Sequence, residues 1–305
     1  MNPTVSISCT TFNHGAYIKQ CLDGFLMQKT TFPFEIIIHD DASTDNTREI
    51  IEEYTSKHPD RIFPLFQEVN QYSQGVRGMM FRFNFPRCRG KYIALCEGDD
   101  YWTDPLKLQK QIDLLESRPD VMTSVGRVNF FYQDKQELLP KKEFVNPDER
   151  QEYALSDYLK QPFSQTSTFV FRNRRIPMPD WMGEVTAGDQ SMMVIFTGPE
   201  GIIHFHPDVL SVYRVNSNSI TQSNILKVLL NNNNMFRHWN TYLNKKYDGL
   251  IRSRILENKL LIILFRIPGM QKLYKQYWFE SCLQFVYKLI IGLKNRFWKR
   301  NIEVS

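Results

Sequence analysis

The sequence predicts an α/β fold with a mostly parallel central sheet, followed by a helical C-terminal extension. Strand-like and helix-like patterns alternate through the first hundred residues, polar clusters follow the strands, and apolar residues recur at helical spacing after residue 225. Alternation of this kind is typical of parallel sheets, because a parallel connection requires a crossover that is usually a helix. Within the 305 residues, we expect an α/β domain over residues 1–218 and a basic amphipathic helical region over residues 219–305.

The first half contains four apolar, β-branched runs and two helical patterns. The runs predict strands at residues 5–10, 34–38, 62–66 and 91–96. Apolar residues at helical spacing follow the first run, over residues 17–26, and also the second run, where Ile50, Ile51 and Tyr54 share one side. We therefore expect the order strand, helix, strand, helix, strand, strand.

The second half predicts a less regular mixture of strands and helices. The predicted elements are a helix at residues 106–115, strands at 121–132 and 167–171, a helix at 190–196, and strands at 201–205 and 209–214. Residues 134–151 are polar and predict a loop. From residue 225 the pattern is helical, with a break at Pro268 and Gly269.

Polar residues cluster where three of the predicted strands end. Thr10 and Asn13 lie at the end of the first strand, Asp41 follows the second, and Asp99 and Asp100 follow the fourth. Open α/β sheets bind their ligands at the carboxyl ends of the strands. We therefore expect one crevice that is lined by all three clusters.

Two of these clusters point to particular chemistry. Asp99 and Asp100 are adjacent carboxylates, which repel each other unless a cation compensates, and Mg²⁺ or Mn²⁺ takes such oxygen ligands together with phosphates. A solvated Asp-Asp turn is the alternative. Asp41 can accept the N3–H of uracil or thymine, and the alternative there is a loop whose polar side chains cap the next helix.

Several motifs combine in a recognisable order. They are Val5-Ser6-Ile7 through Thr10-x-x-Asn13, Gln28, Ile38-His39-Asp40-Asp41-Ala42-Ser43-Thr44-Asp45, Gly90-Lys91-Tyr92-Ile93, Glu97-Gly98-Asp99-Asp100, Gly188-Asp189 and Tyr213-Arg214. In order and spacing, the set resembles the family 2 inverting glycosyltransferases over roughly residues 3–215. The resemblance implies the GT-A fold, in which a Rossmann-like nucleotide-binding half is fused to an acceptor half.

The resemblance also implies roles for individual residues. The nucleotide-binding residues would be Thr10, Asn13, Asp41, Arg82 and Asp99, with Asp41 on the uracil ring and Asp99 at the ribose. Asp100 would hold a Mn²⁺ or Mg²⁺ ion that bridges the diphosphate. Asp189 would be the general base that deprotonates the acceptor hydroxyl, and the alternative for Asp189 is an N-cap of the helix predicted at 190–196.

The remaining candidates concern the acceptor and the metal. Arg214 would contact the diphosphate or the acceptor. Trp102 and Trp181 are candidate platforms for sugar rings, and core packing is the alternative for both. Related enzymes often carry a histidine two residues after the Tyr-Arg pair, where this chain has Asn216. The list of possible replacement metal ligands is short: His204 and His206, whose side chains share one side of a predicted strand.

The implied activity is metal-dependent, inverting transfer of a sugar from a nucleotide-diphospho-sugar to a hydroxyl of a glycan or lipid-linked acceptor, and UDP-sugars are favoured as donors. Attack and departure on opposite faces of the anomeric carbon make a single displacement, with one carboxylate as base. One alternative is a sugar-phosphate nucleotidyltransferase, which would want a glycine-rich, basic phosphate loop after the first strand. The other is a non-catalytic glycosyltransferase-like binding subunit. The retention of four carboxylates argues against it: Asp41, Asp99, Asp100 and Asp189.

Positive charge is concentrated at the C-terminus. Residues 266–305 contain eight Lys or Arg and two Glu, in a chain whose net charge is +5. Aromatic and basic residues alternate between 270 and 300, which is typical of an amphipathic helix on an anionic membrane. Packing on protein is the alternative, and nucleic acid is not expected as a partner. Without a membrane-spanning run or a signal peptide, we expect a cytoplasmic protein that lies peripherally at the inner face of the cell membrane.

Overall fold

The computed structural model describes residues 2–140, 150–185, 187–215 and 225–266. The described strands are β1 (Val5–Thr11), β2 (Phe34–Asp40), β3 (Ile62–Phe66), β4 (Tyr92–Glu97), β5 (Tyr101–Trp102), β6 (Val121–Tyr132), β7 (Glu137–Pro140), β8 (Glu152–Ala154), β9 (Val170–Arg172) and β10 (Ile202–Val215). The described α-helices are α1 (Ile18–Leu26), α2 (Thr47–Lys57), α3 (Lys107–Ser117), α4 (Leu155–Lys160), α5 (Gly188–Thr197), α6 (Ile225–Tyr242) and α7 (Asp248–Phe265).

Four parallel strands form the first half of the sheet, in the order β3-β2-β1-β4. Both faces of this half are apolar, because Ile37 packs into one buried cluster while its neighbours Ile36 and Ile38 pack into the other. Near-continuous apolar runs are typical of parallel strands that are covered on both sides. The predicted parallel half is confirmed, and the carboxyl ends of β1, β2 and β4 lie at one edge.

The second half continues the same sheet with mixed directions. β9 is antiparallel to both β4 and β6, and β6 is parallel to β10. β5 follows the Asp99-Asp100 pair directly and runs antiparallel to β10, with Trp102 opposite Ser211. One continuous sheet therefore joins the two halves, which agrees with the predicted fold class.

β10 is a single strand where the sequence predicts two. Pro207 and Asp208 interrupt the apolar pattern, and the pairing register with β6 shifts between His206 and Val209. A bulge of this kind accommodates a proline, which has no N–H to donate to the ladder. The loop predicted at 134–151 contains β7, and its residues 141–149 lie outside the described part of the chain.

The helices α6 and α7 pack on the second half of the sheet domain. Trp239 Nε1 donates to Ser191 Oγ of α5 at 3.0 Å, and Phe236 and Trp239 belong to the same buried cluster as Phe196 of α5. The boundary expected at residue 218 and the basic stripe at 270–300 fall outside the described residues. Over the described ranges, we find no helix that combines the length and apolarity needed to cross a bilayer.

A buried amide anchors the segment that precedes β4. Asn84 ends the π-helical turn Met80–Asn84 and is 0% exposed. Its Nδ2 donates to Ser8 Oγ and to the Cys9 carbonyl, each at 2.9 Å. The turn is therefore fixed against β1, beneath the edge where the polar clusters meet.

Replacing Asn84 with Ala should lower the free energy of unfolding by about 1–3 kcal/mol, because buried polar groups of β1 lose a hydrogen-bond partner. Urea denaturation at pH 7 measures this change. The control is Gln74→Ala, which removes an exposed side-chain amide and should alter stability by no more than about 0.5 kcal/mol. An Asn84→Ala protein as stable as this control would contradict the anchoring role.

Candidate active site

The carboxyl ends of β1, β2 and β4 bring the three predicted polar clusters together. Thr10 of β1 has a paired neighbour in both β2 and β4. Beyond the ladder, the Asp41 amide donates to the Thr11 carbonyl at 3.0 Å, and the Gly98 amide donates to the Thr10 carbonyl at 2.9 Å. The loops that follow these strands therefore line one crevice.

Asn13 joins the loop after β1 to the loop after β2. Its φ of 53° lies in the left-handed region, which Asn adopts more readily than most residues. Its amide donates to Ser43 Oγ at 2.8 Å, and its Oδ1 accepts from the Thr44 amide at 2.8 Å. Asn13 therefore fixes the shape of this wall of the crevice.

Asp41 holds the segment that follows β3. Its Oδ1 accepts from the Gln71 amide at 2.8 Å and its Oδ2 accepts from the Tyr72 amide at 3.0 Å, while its carbonyl accepts from Asn70 Nδ2 at 3.0 Å. The same segment carries Arg82, which is exposed and donates from Nε to the Arg77 carbonyl at 2.9 Å. Asp41 thus orders a loop and still has lone pairs for a further donor.

Asp99 and Asp100 have different environments although they are adjacent. Asp100 is 1% exposed, and its Oδ1 accepts from the Arg214 amide at 2.9 Å. Its Oδ2 is buried and has no hydrogen-bond partner among the described residues. The Asp99 side chain is 24% exposed, with Oδ2 at 3.9 Å from Nε2 of His14. The pair therefore presents one buried carboxylate oxygen without a donor and one accessible carboxylate.

Burial and mutual repulsion shift the titration of this cluster. Desolvation raises the pKa of Asp100 well above its usual value, and the charges of Asp99 and Glu97 raise it further. Desolvation also raises the pKa of Glu97 to about 8, with smaller contributions from Asp99 and Asp189. A bound cation would relieve this repulsion, because it favours the charged form of each carboxylate.

Asp189 reaches the same cluster from a different element. It lies in the first turn of α5, where Ala187 rather than Asp189 occupies the N-cap position. Desolvation raises the pKa of Asp189, which the backbone amides of Asp189 and Gln190 partly oppose. Its charge contributes to the raised pKa of Glu97, the last residue of β4.

The charges of four carboxylates all act on one residue, Tyr213. Burial is the main cause of its raised pKa, and each of the four acids adds to it. In decreasing order these acids are Asp100, Glu97, Asp99 and Asp189. Nothing in the sequence assigns Tyr213 a role beyond its motif, whereas Glu97 can be found from its position at a strand end.

The two candidate aromatic platforms lie in different surroundings. Trp102 is 2% exposed, donates from Nε1 to the Ser167 carbonyl at 2.8 Å, and has Lys107 Nζ at 4.1 Å from its ring centre. It therefore packs in the core, as the alternative for this residue states. Trp181 is half-buried and stacks on His238 of α6, with ring centres 5.5 Å apart.

His204 and His206 lie far from the carboxylates along β10. Their ring centres are 4.6 Å apart, and His206 Nε2 is 3.0 Å from Ser124 Oγ. Burial lowers the pKa of His206 to about 4. His206 precedes Arg214 by eight positions on β10, which corresponds to roughly 25 Å along an extended strand. The described residues contain no cluster of three or more metal-binding side chains. Asn216 lies outside the described residues.

The sequence matches one family and several relatives. Residues 6–176 match the family described as Glycosyl transferase family 2. An uncharacterised protein of Mycobacterium tuberculosis is 36% identical over 219 residues, which cover 72% of this chain and 61% of the relative. The putative teichuronic acid biosynthesis glycosyltransferase TuaG of Bacillus subtilis is 32% identical over 124 residues, which cover 41% of this chain and 46% of TuaG. The chain thus spans about three fifths of the mycobacterial relative.

Solved structures show the same fold at low sequence identity. S. aureus TarS 1-349 in complex with UDP-GlcNAc has a TM-score of 0.64 at 18% identity, covering 84% of this chain and 72% of that chain. The mannosyltransferase PcManGT from Pyrobaculum calidifontis, in complex with GDP-Man and Mn²⁺, has a TM-score of 0.56 at 15% identity, covering 90% and 79%. The predicted fold class is therefore confirmed.

The raised pKa of Glu97 should make the protein less stable as the pH rises. The folded state retains a proton on Glu97 up to about pH 8, whereas the unfolded chain releases it near pH 4.5. The stabilisation that the protonated Glu97 contributes is therefore fully present below its pKa in the unfolded chain. It is lost as the pH rises through its pKa of about 8 in the folded protein. With a chelator present to remove divalent metal, we expect the melting temperature of the wild type to fall between pH 6 and pH 9. The melting temperature of Glu97→Gln should fall less over the same range.

The matched control is Glu116→Gln at the protein surface. Its hydrogen bond with Lys91 lowers the pKa of Glu116, so the ionised side chain is the favoured form throughout this range. The control should keep the wild-type pH dependence. Equal slopes for wild type and Glu97→Gln would show that Glu97 ionises normally in the folded protein.

Proposed function

The chain belongs to glycosyl transferase family 2, and we propose that it transfers a sugar from a nucleotide-diphospho-sugar to an acceptor hydroxyl with inversion at the anomeric carbon. The observation that carries this proposal is the set of four carboxylates within electrostatic reach of Tyr213 at one edge of the sheet. Such a set provides oxygen ligands for a metal–diphosphate and a separate carboxylate for the acceptor.

We infer a UDP-sugar as the donor. Uracil carries an N3–H that a carboxylate accepts, and Asp41 is a buried carboxylate at the crevice. Thr10, Asn13 and Arg82 would complete the nucleotide contacts, with Asp99 at the ribose. The structural neighbours were solved with UDP-GlcNAc and with GDP-Man, so a nucleotide-sugar is common to both while the base and the sugar differ.

The residues present fit a divalent cation at Asp100. The buried Oδ2 of Asp100 has no donor among the described residues, and burial together with repulsion from Asp99 and Glu97 disfavours the ionised form of Asp100. A bound cation would coordinate this free oxygen and stabilise the ionised carboxylate. Mg²⁺ and Mn²⁺ complete their coordination shells with phosphates and water. When bound, such an ion supplies neutralisation of the charge that develops on the departing nucleoside diphosphate.

Asp189 would act on the acceptor. Its raised pKa makes the Asp189 carboxylate a stronger base, which suits a group that takes a proton from a hydroxyl. Asp189 comes from α5, a different element from the strands whose ends bear the nucleotide residues, which suits attack from the face opposite the leaving group. Burial and the charges of Asp99 and Asp189 raise the pKa of Glu97 to about 8, which limits the negative charge beside Asp189 as long as no cation is bound.

Replacing Asp189 with Asn should abolish transfer while nucleotide binding persists. We expect a fall in turnover of about 10²–10⁴-fold with a UDP-sugar and Mn²⁺, because the general base is lost, and an unchanged affinity for UDP by calorimetry. The matched control is Asp180→Asn, which alters an exposed carboxylate on the neighbouring turn Asp180–Gly183 and should retain full activity. Normal transfer by Asp189→Asn would refute the assignment of the base.

We further propose that the acceptor is a glycan or lipid-linked sugar and that the protein lies, from the cytoplasm, at an anionic membrane surface. The outer face of α7 supports this: Leu256, Leu260 and Ile263 are 60%, 37% and 60% exposed at helical spacing. Lys259 and Arg266 are exposed beside them and have no ion-pair partner among the described residues. Apolar and basic side chains on one face fit an anionic lipid surface.

The charge of the remaining C-terminal residues argues in the same direction. Residues 267–305 contain seven Lys or Arg and two Glu. If this segment covered α7, like charges would meet around Lys259 and Arg266. An anionic membrane would instead pair with both the face and the segment, since each basic residue near such a surface contributes about 1 kcal/mol.

Replacing Leu256 and Ile263 with Ser should weaken binding to vesicles that contain phosphatidylglycerol by about tenfold or more, because less apolar area is buried at the interface. Co-sedimentation at low salt measures the bound fraction. The control is the double variant Leu138→Ser/Leu139→Ser, which changes two exposed leucines on β7 and should bind normally. Equal binding to neutral phosphatidylcholine vesicles would count against an anionic surface.

A further inference from the structure

We propose that Arg214 is a positioning residue, which holds the Asp99-Asp100 turn in the geometry that binds the cation and does not itself bind the diphosphate or the acceptor. The inference rests on the proposed function, because it concerns the same metal-dependent nucleotide site. It depends on the contacts that Arg214 makes with the turn, with the side-chain amides of two glutamines and with three aromatic rings.

Arg214 contacts the turn at two points. Its backbone amide donates to Asp100 Oδ1 at 2.9 Å, and its Nε donates to the Asp99 carbonyl at 2.9 Å. The first bond occupies one carboxylate oxygen of Asp100 and leaves the buried Oδ2 without a donor among the described residues. The second fixes the peptide between the two acids. The backbone of β10 therefore orients the Asp100 carboxylate, and the Arg214 side chain holds the peptide that carries it.

The rest of the guanidinium is tied to two other parts of the fold. Nη1 donates to Gln133 Oε1 at 2.9 Å, just beyond β6, and Nη2 donates to Gln20 Oε1 of α1 at 2.7 Å. Each of the three guanidinium nitrogens therefore already donates a hydrogen bond within the protein. Arg214 is also only 7% exposed. Three of the five guanidinium N–H groups are thus engaged, and the low exposure of the side chain leaves a diphosphate little access to the other two.

Three aromatic rings surround the guanidinium carbon. Its distances to the ring centres are 4.6 Å for Tyr17, 5.3 Å for Phe131 and 5.4 Å for Tyr101. A planar guanidinium can stack on rings and donate in fixed directions at once, whereas a lysine ammonium cannot reproduce both. The site is thus built to hold an arginine still, which is what a residue that orients metal ligands requires.

The test compares Arg214→Lys and Gln20→Ala with the wild type. Gln20 touches neither carboxylate, so its loss acts on the turn only through its two partners, the side chains of Arg214 and Tyr101. We expect the Mn²⁺ concentration that gives half-maximal UDP binding to rise about tenfold or more in Arg214→Lys and by about a few fold in Gln20→Ala, as is typical when partners of metal ligands are removed. UDP affinity without metal should stay unchanged in both variants.

The matched control is Arg172→Lys, the same change at another partly buried arginine. Arg172 donates to the Val121 and Arg118 carbonyls, each at 3.0 Å, and its strand pairs with the start of β4, at the opposite edge of the sheet. It should leave the Mn²⁺ requirement unchanged even if it destabilises the fold. A shift of the same size in Arg172→Lys would overturn the positioning role, since general destabilisation would then explain it.

Two further results separate the failure of this inference from the failure of the proposed function. If Arg214 binds the diphosphate, Arg214→Lys will weaken metal-free binding of UDP but not of uridine, and Gln20→Ala will have no effect, which overturns the positioning role. If the wild type binds no nucleotide with Mn²⁺, the proposed function fails. Hydrogen exchange of the amides at 99–102 in the full chain then decides, because faster exchange in Arg214→Lys supports positioning and unchanged exchange refutes it.

Discussion

The crowding of four carboxylates at one sheet edge, with Asp100 fully buried among them, is the constraint on which the rest of this structure depends. Desolvation raises the pKa of both Glu97 and Asp100, and each neighbouring acid adds to the effect. Holding such groups together lowers stability, which the two apolar clusters on the faces of the sheet must offset. Destabilised clusters of this kind persist in proteins where function needs them.

The acids are held in place by elements that are far apart in the chain. The end of β4 supplies Glu97, the turn after it supplies Asp99 and Asp100, and α5 supplies Asp189. The pairing of β5 with β10 lays Arg214 against the turn that carries Asp99 and Asp100. The parallel half and the mixed half therefore both contribute to one site, and neither half has the whole set of carboxylates.

Part of this arrangement follows from the sequence because its cause is local. Apolar runs predict β1, β2 and β4, and the rule that parallel strands end at one edge predicts that Thr10, Asp41 and Asp99 are neighbours. Asp189 could not be placed in this way, since its position depends on how α5 packs, and only the family motif pointed to it. The aromatic character of Trp102 did not reveal its burial, because exposure depends on the elements that cover a ring.

Other features have no local signal at all. β10 continues through Pro207 because its pairing with β6 tolerates a register shift, which the alternation of residues does not show. The bond between Gln20 and Arg214 joins residues separated by 194 positions. Such contacts exist only when the chain has folded, so a pattern of residue types cannot predict them.

Asp41 gives the proposed nucleotide site one more property. Its two carboxylate oxygens already accept the amides of Gln71 and Tyr72, so a base that hydrogen-bonds to Asp41 shares an acceptor with this loop. Occupancy of the crevice and order of the loop are then thermodynamically linked, and the linkage works equally in both directions. Sequence changes around residue 71 can thereby tune the affinity for the nucleotide without touching it.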